Sequence, residues 1–190
     1  MTTVNDIYSY LCDLAPLSLQ ADFDNAGFLV GHADAPVQRA LLSLDVTGEV
    51  IDEAIAADVQ LIVTHHPVIF HPRKTLTDAD VGGVLLLRLI ENHIAVISMH
   101  TNLDIAKGGV NDVLMGILDA KTEGVLDEDG CGRTGWLEAP ISMTQFLPIC
   151  KERLRSNGLR YHDSGRPVHH LAVMGGAGGN SLERAYALGC

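Results

Sequence analysis

Short apolar segments alternate with segments of helical periodicity through residues 1–121. The apolar segments are typical of buried strands and lie at residues 28–31, 40–46, 60–64 and 94–99. The intervening periodicity predicts helices at residues 49–57, 81–92 and 110–118, after an N-terminal helix that Thr3 caps. Strands that alternate with helices indicate an α/β fold with a largely parallel sheet. We therefore expect a first α/β unit over residues 1–121.

A second, shorter α/β unit is predicted at residues 134–190. Its expected elements are a strand, a helix, a strand and a helix, at residues 134–137, 143–156, 171–174 and 181–188. The stretch 122–133 between the two units is acidic and contains glycine, which predicts a linker or an exposed turn.

A weak internal repeat relates the two units. An offset of 130 residues places Val173 on Ser43, Glu183 on Glu53 and Ala187 on Ala57. Both windows predict strand, loop and helix. In the first copy a further strand and two histidines follow, whereas the second copy stops before such a strand. We therefore expect the second unit to be incomplete at its C-terminus.

Composition excludes several classes of protein. With 47% hydrophobic residues the chain is too apolar for a disordered protein. Its apolar runs reach only four residues, as in 84–87, which Arg88 ends, so no segment is expected to span a membrane. The net charge of −11, without a cluster of basic residues, argues against nucleic-acid binding. The four cysteines form no CxxC pair, and the N-terminus has no signal-peptide pattern, so we expect a cytoplasmic protein with reduced thiols.

Two histidines directly follow the strand predicted at residues 60–64. His65 and His66 leave the strand together, and Pro67 favours an extended conformation at His66. Two adjacent imidazoles can bind two neighbouring metal ions, or one ion from two sides. The alternative is an exposed histidine pair in a loop without any ligand.

A second polar group follows the strand predicted at residues 94–99. His100 comes directly after that strand, and Asp104 lies four residues further along. An imidazole and a carboxylate at this spacing can converge on one point, and a carboxylate can bridge two cations. The alternative is that Asp104 or Asn102 only makes a local turn. Because open α/β sheets place their sites at this edge, His65, His66 and Asp104 together favour a metal site.

The other candidates are weaker. Residues 22–27 predict a polar turn, and Asp45 either orients a ligand histidine or caps the helix that Thr47 opens. The histidine pair at 169–170 precedes a predicted strand, so we expect it at the surface, at the opposite edge of the sheet. The glycine-rich run 175–179 matches neither a Walker loop nor GxGxxG and predicts a tight turn between strand and helix.

Four ordered motifs resemble those of the Nif-three-like dinuclear metal-centre family, whose bacterial members are commonly labelled GTP cyclohydrolase 1 type 2 homologues. The motifs are DFDNAGFLVG at 22–31, SLDVT at 43–47, HHPVIF at 65–70, and HTNLD at 100–104 with GGVND at 108–112. The resemblance covers nearly the whole chain. It implies two similar α/β units with largely parallel or mixed sheets, and a homo-oligomer, often a toroidal hexamer.

The resemblance also implies two divalent metal ions, with zinc, iron and manganese as candidates. His65, His66 and Asp104 match the family's ligands, Asp104 as the bridging one, and His100 and Asn102 would be close neighbours. In the family a histidine, and a glutamate four residues later, complete the site from a C-terminal segment that this sequence does not contain. We therefore expect the natural protein to be longer.

Two functions are compatible with these residues. The first is a metal-dependent hydrolase acting on a nucleotide or a phosphoester-like substrate, with His100 as the catalytic candidate for proton transfer. The family label suggests GTP, but no residue set in the sequence predicts a guanine pocket. The alternative is a non-catalytic protein that binds or delivers metal, or a regulatory interaction module. Turnover by the metal-loaded protein distinguishes the two.

Overall fold

The computed structural model describes all residues 1–190, which form two compact units, Met1–Ala106 and Lys107–Cys190. The α/β class is confirmed. No helix of the protein is both long enough and apolar enough to cross a membrane.

The first unit is a four-stranded sheet with helices on both faces. In chain order its elements are α1 (Val4–Leu14), β1 (Gly27–Val30), β2 (Ala40–Ser43), α2 (Gly48–Ala56), β3 (Leu61–Thr64), α3 (Val81–Glu91), β4 (Ala95–Ser98) and α4 (Thr101–Ile105), with a 3-10 turn at Leu17–Leu19. The strand order is β1-β4-β3-β2. Strands β2, β3 and β4 are parallel, as expected, and β1 runs antiparallel to β4.

Two apolar layers hold this sheet, because successive strand residues point to opposite faces. Ile62 and Val96 pack with α2 and α3, whereas Leu61 and Ile97 pack with the layer that contains α1. Capping side chains fix where the helices begin. Thr3 and Asp6 form a capping box at α1, and Thr47 and Asp80 cap α2 and α3.

The second unit is a three-stranded antiparallel sheet with two helices packed on it. Its elements are α5 (Val110–Ile117), β5 (Lys121–Val125), β6 (Arg133–Ile141), α6 (Met143–Arg153), β7 (Val168–Val173), a 3-10 turn (Gly178–Ser181) and α7 (Leu182–Ala187). The strand order is β5-β6-β7. Strand, loop and helix recur in β7 and α7 as the repeat predicts, but β7 has an antiparallel neighbour, whereas β2 has a parallel one.

The boundary between the units lies earlier than the sequence predicts. We expected the first unit to end at residue 121, but α5 packs against the second sheet through Met115 and Leu118, so the first unit ends at Ala106. The stretch 122–133, which the sequence predicts as a linker or an exposed turn, is partly structured. Its beginning belongs to β5, which pairs with β6, and Leu126 is buried.

Candidate metal centre

The site lies at the carboxyl edge of the first sheet. Strands β3 and β4 are parallel neighbours in which Thr64 is paired with Ser98, so the residues that follow them emerge side by side. The hydroxyls of Thr64 and Ser98 lie 2.8 Å apart, and the Thr64 hydroxyl donates to the His66 carbonyl at 2.9 Å. The sheet therefore continues into a hydrogen-bonded turn, which fixes the backbone that carries the histidine pair.

Three histidines come together at this edge. Each of His65, His66 and His100 has a ring nitrogen within 4.8 Å of one on the other two. The His65 ring centroid lies 5.1 Å from both other rings, and the remaining pair is 5.6 Å apart. Sequence reasoning placed His100 near the site as a proton-transfer group, and the structure places it among the possible metal donors as well.

One nitrogen of each imidazole is already engaged. The Nδ1 atom of His65 lies 2.9 Å from the Met99 carbonyl, that of His66 2.7 Å from Asp45, and that of His100 2.8 Å from Asp24. Because carbonyl and carboxylate oxygens accept hydrogen bonds, each Nδ1–H is the donor, and in the neutral ring Nε2 carries the lone pair. Hydrogen-bonded imidazoles of this kind are typical of metal sites.

Asp24 supports the histidine cluster through contacts that local sequence patterns did not predict. Its side chain is fully buried, and besides His100 it accepts from the backbone N–H of Thr101 at 3.0 Å and from the Thr101 hydroxyl at 2.5 Å. Burial raises the pKa of Asp24, but these hydrogen bonds outweigh it, so the pKa lies below its ordinary value. Residues 22–27 were expected only as a polar turn, and similarity of the DFDN motif to the family was the one signal that singled them out.

Asp104, which lies on α4, is close to the three histidines. Its Oδ1 atom is 3.7 Å from Nε2 of His65, and its side chain is only 14% exposed. Burial raises the pKa of Asp104, and the neighbouring histidines His65 and His100 offset only part of this effect. A cation at the site would favour the ionised carboxylate, so this donor set of imidazoles and a carboxylate fits a divalent ion such as zinc, iron or manganese.

Asn102 and Asp45 support the site in different ways. Asn102 is buried, accepts from the His100 backbone N–H at 2.9 Å and donates to the Ala15 carbonyl at 2.7 Å, so it builds the turn. Asp45 holds His66, which confirms its predicted role as a partner of a histidine. The alternative role as a helix cap is wrong, because Thr47 caps α2.

Two of the weaker candidates, the histidine pair and the glycine-rich run, lie in the second unit. His169 and His170 lie within β7, not before it, and His170 stacks on Trp136 with the ring centroids 4.1 Å apart. The glycine-rich run makes the expected tight turn after β7, where the Gly175 N–H donates to the Asn111 side chain at 2.8 Å.

Comparison with known proteins gives a consistent result. The family described as Duf34/NIF3 (NGG1p interacting factor 3) matches residues 2–190. A relative from Clostridium acetobutylicum named GTP cyclohydrolase 1 type 2 homolog is 37% identical over 190 residues, which cover 96% of this chain and 71% of the relative.

Solved structures share the fold. A Bacillus cereus protein related to NIF3 superposes with a TM-score of 0.92 at 23% identity, covering 100% of this chain and 81% of that one. Reduced HcgD from Methanocaldococcus jannaschii superposes with a TM-score of 0.86 at 30% identity, covering 98% of this chain and 75% of that one.

Proposed function

Because the chain belongs to the Duf34/NIF3 (NGG1p interacting factor 3) family, we propose that it is a metal-dependent hydrolase with a dinuclear metal centre. The observation that carries the proposal is the set of three imidazoles whose Nδ1 atoms are held by acceptors beside the partly buried carboxylate of Asp104. His65, His66 and Asp104 would hold the metal ions, with Asp104 as the bridging ligand.

The proposed substrate is a nucleotide or a related phosphoester. Two divalent ions held by these residues would supply an activated water and would stabilise the charge on such a substrate. Asp24 accepts the Nδ1 hydrogen of His100, which fixes the orientation of that ring and leaves Nε2 free to face a ligand. His100 is therefore suited to take up or deliver a proton at Nε2.

Metal analysis and a turnover assay on the same samples test this function. Full-length protein purified without chelator or nickel resin should contain divalent metal, and after loading with manganese, iron or zinc it should hydrolyse GTP or a generic phosphoester. His100→Ala should keep its metal and lose turnover by about 10²- to 10⁴-fold, as expected for a proton-transfer group. Loss of metal from His100→Ala would instead make His100 a ligand.

Binding without chemistry is the result that contradicts a hydrolase. If the protein binds metal tightly and stoichiometrically but turns over neither GTP nor phosphoesters with any of the three metals, it is a metal-binding or metal-delivery protein. If it binds no metal at all, the metal centre itself is wrong.

We also propose that the protein works in the cytoplasm as a homo-oligomer, as the family resemblance implies. Leu42 and Leu44, which lie on and just after the edge strand β2, are 78% and 60% exposed, and apolar side chains at a sheet edge favour association. Sedimentation should show an oligomer that Leu42→Lys shifts towards the monomer. A wild-type monomer would contradict this proposal.

A further inference from the structure

Two phenylalanines stand exposed beside the histidine cluster. Phe23 is 69% exposed and Phe70 is 37% exposed, and their ring centroids lie 6.4 Å apart with the planes tilted by 60°. The Phe70 ring is 6.2 Å from the His100 ring. We call Phe23 and Phe70 the aromatic corner. Phenylalanine is among the residues most often buried, so two exposed rings next to a polar site call for an explanation.

The aromatic corner is held in place by the same hydrogen bonds that build the site. Phe23 precedes Asp24, whose buried carboxylate binds His100 and Thr101. The next residue, Asn25, donates from its side chain to the Ile69 carbonyl at 2.6 Å, directly before Phe70. The backbone that carries both rings is thus anchored, so the loops need little ordering when a ligand binds.

From this arrangement we propose that the aromatic corner binds the planar heteroaromatic ring of a nucleotide whose phosphate lies at the histidine cluster. The inference rests on the proposed function and selects the ring-bearing nucleotide over a simple phosphoester. Every nucleobase offers a π-face that stacks on an aromatic side chain. Phenylalanine has no hydrogen-bonding group, so the corner favours a ring without distinguishing one purine from another.

Two matched ligands isolate the contribution of the ring. Guanosine 5′-monophosphate and ribose 5-phosphate carry the same phosphate on the same sugar and differ by the base. Calorimetric titration of the metal-loaded wild-type protein should show that the nucleotide binds about fivefold to 150-fold more tightly, the range expected for stacking of one base. Adenosine 5′-monophosphate should share this preference.

Two variants test whether the aromatic corner causes this preference for the nucleotide. Phe23→Leu and Phe70→Leu keep apolar side chains without a ring and should bring the affinity ratio of nucleotide to sugar phosphate towards one, while metal content stays at the wild-type level. Tyr10→Leu is the control, because Tyr10 is also 62% exposed but lies on α1 and makes no ring contact with Phe23 or Phe70. It should leave the ratio unchanged.

Three outcomes would overturn the aromatic corner. The first is that the nucleotide and the sugar phosphate bind with equal affinity. The second is that neither phenylalanine variant lowers the affinity ratio of nucleotide to sugar phosphate. The third is that guanosine monophosphate binds more tightly than adenosine monophosphate by as large a factor as it exceeds ribose 5-phosphate. These outcomes leave the metal centre standing. Conversely, a wild-type protein that binds no metal would contradict the proposed function. Titration of that protein with guanosine and ribose would still test the corner, which predicts tighter binding of guanosine.

Discussion

Replacing His66 with alanine should strip the protein of metal at concentrations where the wild type stays loaded. His66 would bind through Nε2, since Asp45 accepts from its Nδ1, and removing the imidazole removes a ligand together with its oriented lone pair. Competition with a chelator of known affinity measures the loss. We expect a reduction in affinity beyond the roughly 10- to 100-fold that follows when only the hydrogen-bonding partner of a ligand is removed.

Asp45→Ala should show this smaller loss of metal affinity, because it removes only the hydrogen-bonding partner of His66. It leaves the imidazole in place but frees its orientation, so its affinity should fall by about 10- to 100-fold. His71→Ala should have no effect, because His71 packs on Phe70 and does not belong to the three-histidine cluster. Equal losses in His66→Ala and Asp45→Ala would contradict a direct role for His66 as a ligand. A loss in His71→Ala as large as that in His66→Ala would show that the assay reports general damage.

The first unit could be predicted from local sequence patterns. Strands β3 and β4 are short apolar runs, since both of their faces are covered by helices, and the residues that follow them are polar. Parallel neighbours bring their carboxyl ends to one edge, so the sequence alone predicts that His65, His66 and His100 lie close together there.

Contacts between distant residues escaped prediction. Asp24 and His100 are 76 positions apart and no periodicity relates them, so only the folded chain shows that this carboxylate holds the ring. Strand β5 was missed for a different reason. Its sequence, KTEGV, is largely exposed and has no run of apolar residues, and it is a strand because its backbone pairs with β6. The early boundary at Ala106 likewise follows from where α5 packs.

Removing the guanidinium of Arg133 should strongly destabilise the second unit. Arg133 is nearly buried, makes two hydrogen bonds to Asp112 at 2.8 and 3.2 Å, and donates to the carbonyls of Gly130 and Gly132. Arg133→Met leaves the Asp112 carboxylate without this partner. Breaking a buried pair costs about 3–5 kcal/mol, and because Asp112 is 21% exposed and keeps its bond from Gly108, we expect the lower end of that range. Urea unfolding followed by the fluorescence of Trp136, the single tryptophan, reports on this unit.

The Arg133–Asp112 pair should also make the stability of the wild-type protein depend on pH in the acid range. Burial raises the pKa of Asp112, but the hydrogen bonds from Arg133 and the Gly108 backbone outweigh it, so the pKa lies below its ordinary value. A lowered pKa stabilises the fold above the unfolded pKa of about 3.9, and this contribution is lost as the pH falls through the folded pKa. The free energy of unfolding should therefore decrease more steeply below pH 4 in the wild type than in Arg133→Met.

Arg153→Met separates this buried pair from a surface pair in the same unit. Arg153 forms an ion pair with Asp119, but the side chains are 39% and 72% exposed, so water screens the charges and the expected cost is about 0–1 kcal/mol. If Arg153→Met cost as much as Arg133→Met, burial would not be what makes the Asp112 pair strong. Parallel pH profiles for the wild type and Arg133→Met would likewise show that Asp112 does not owe its lowered pKa to Arg133.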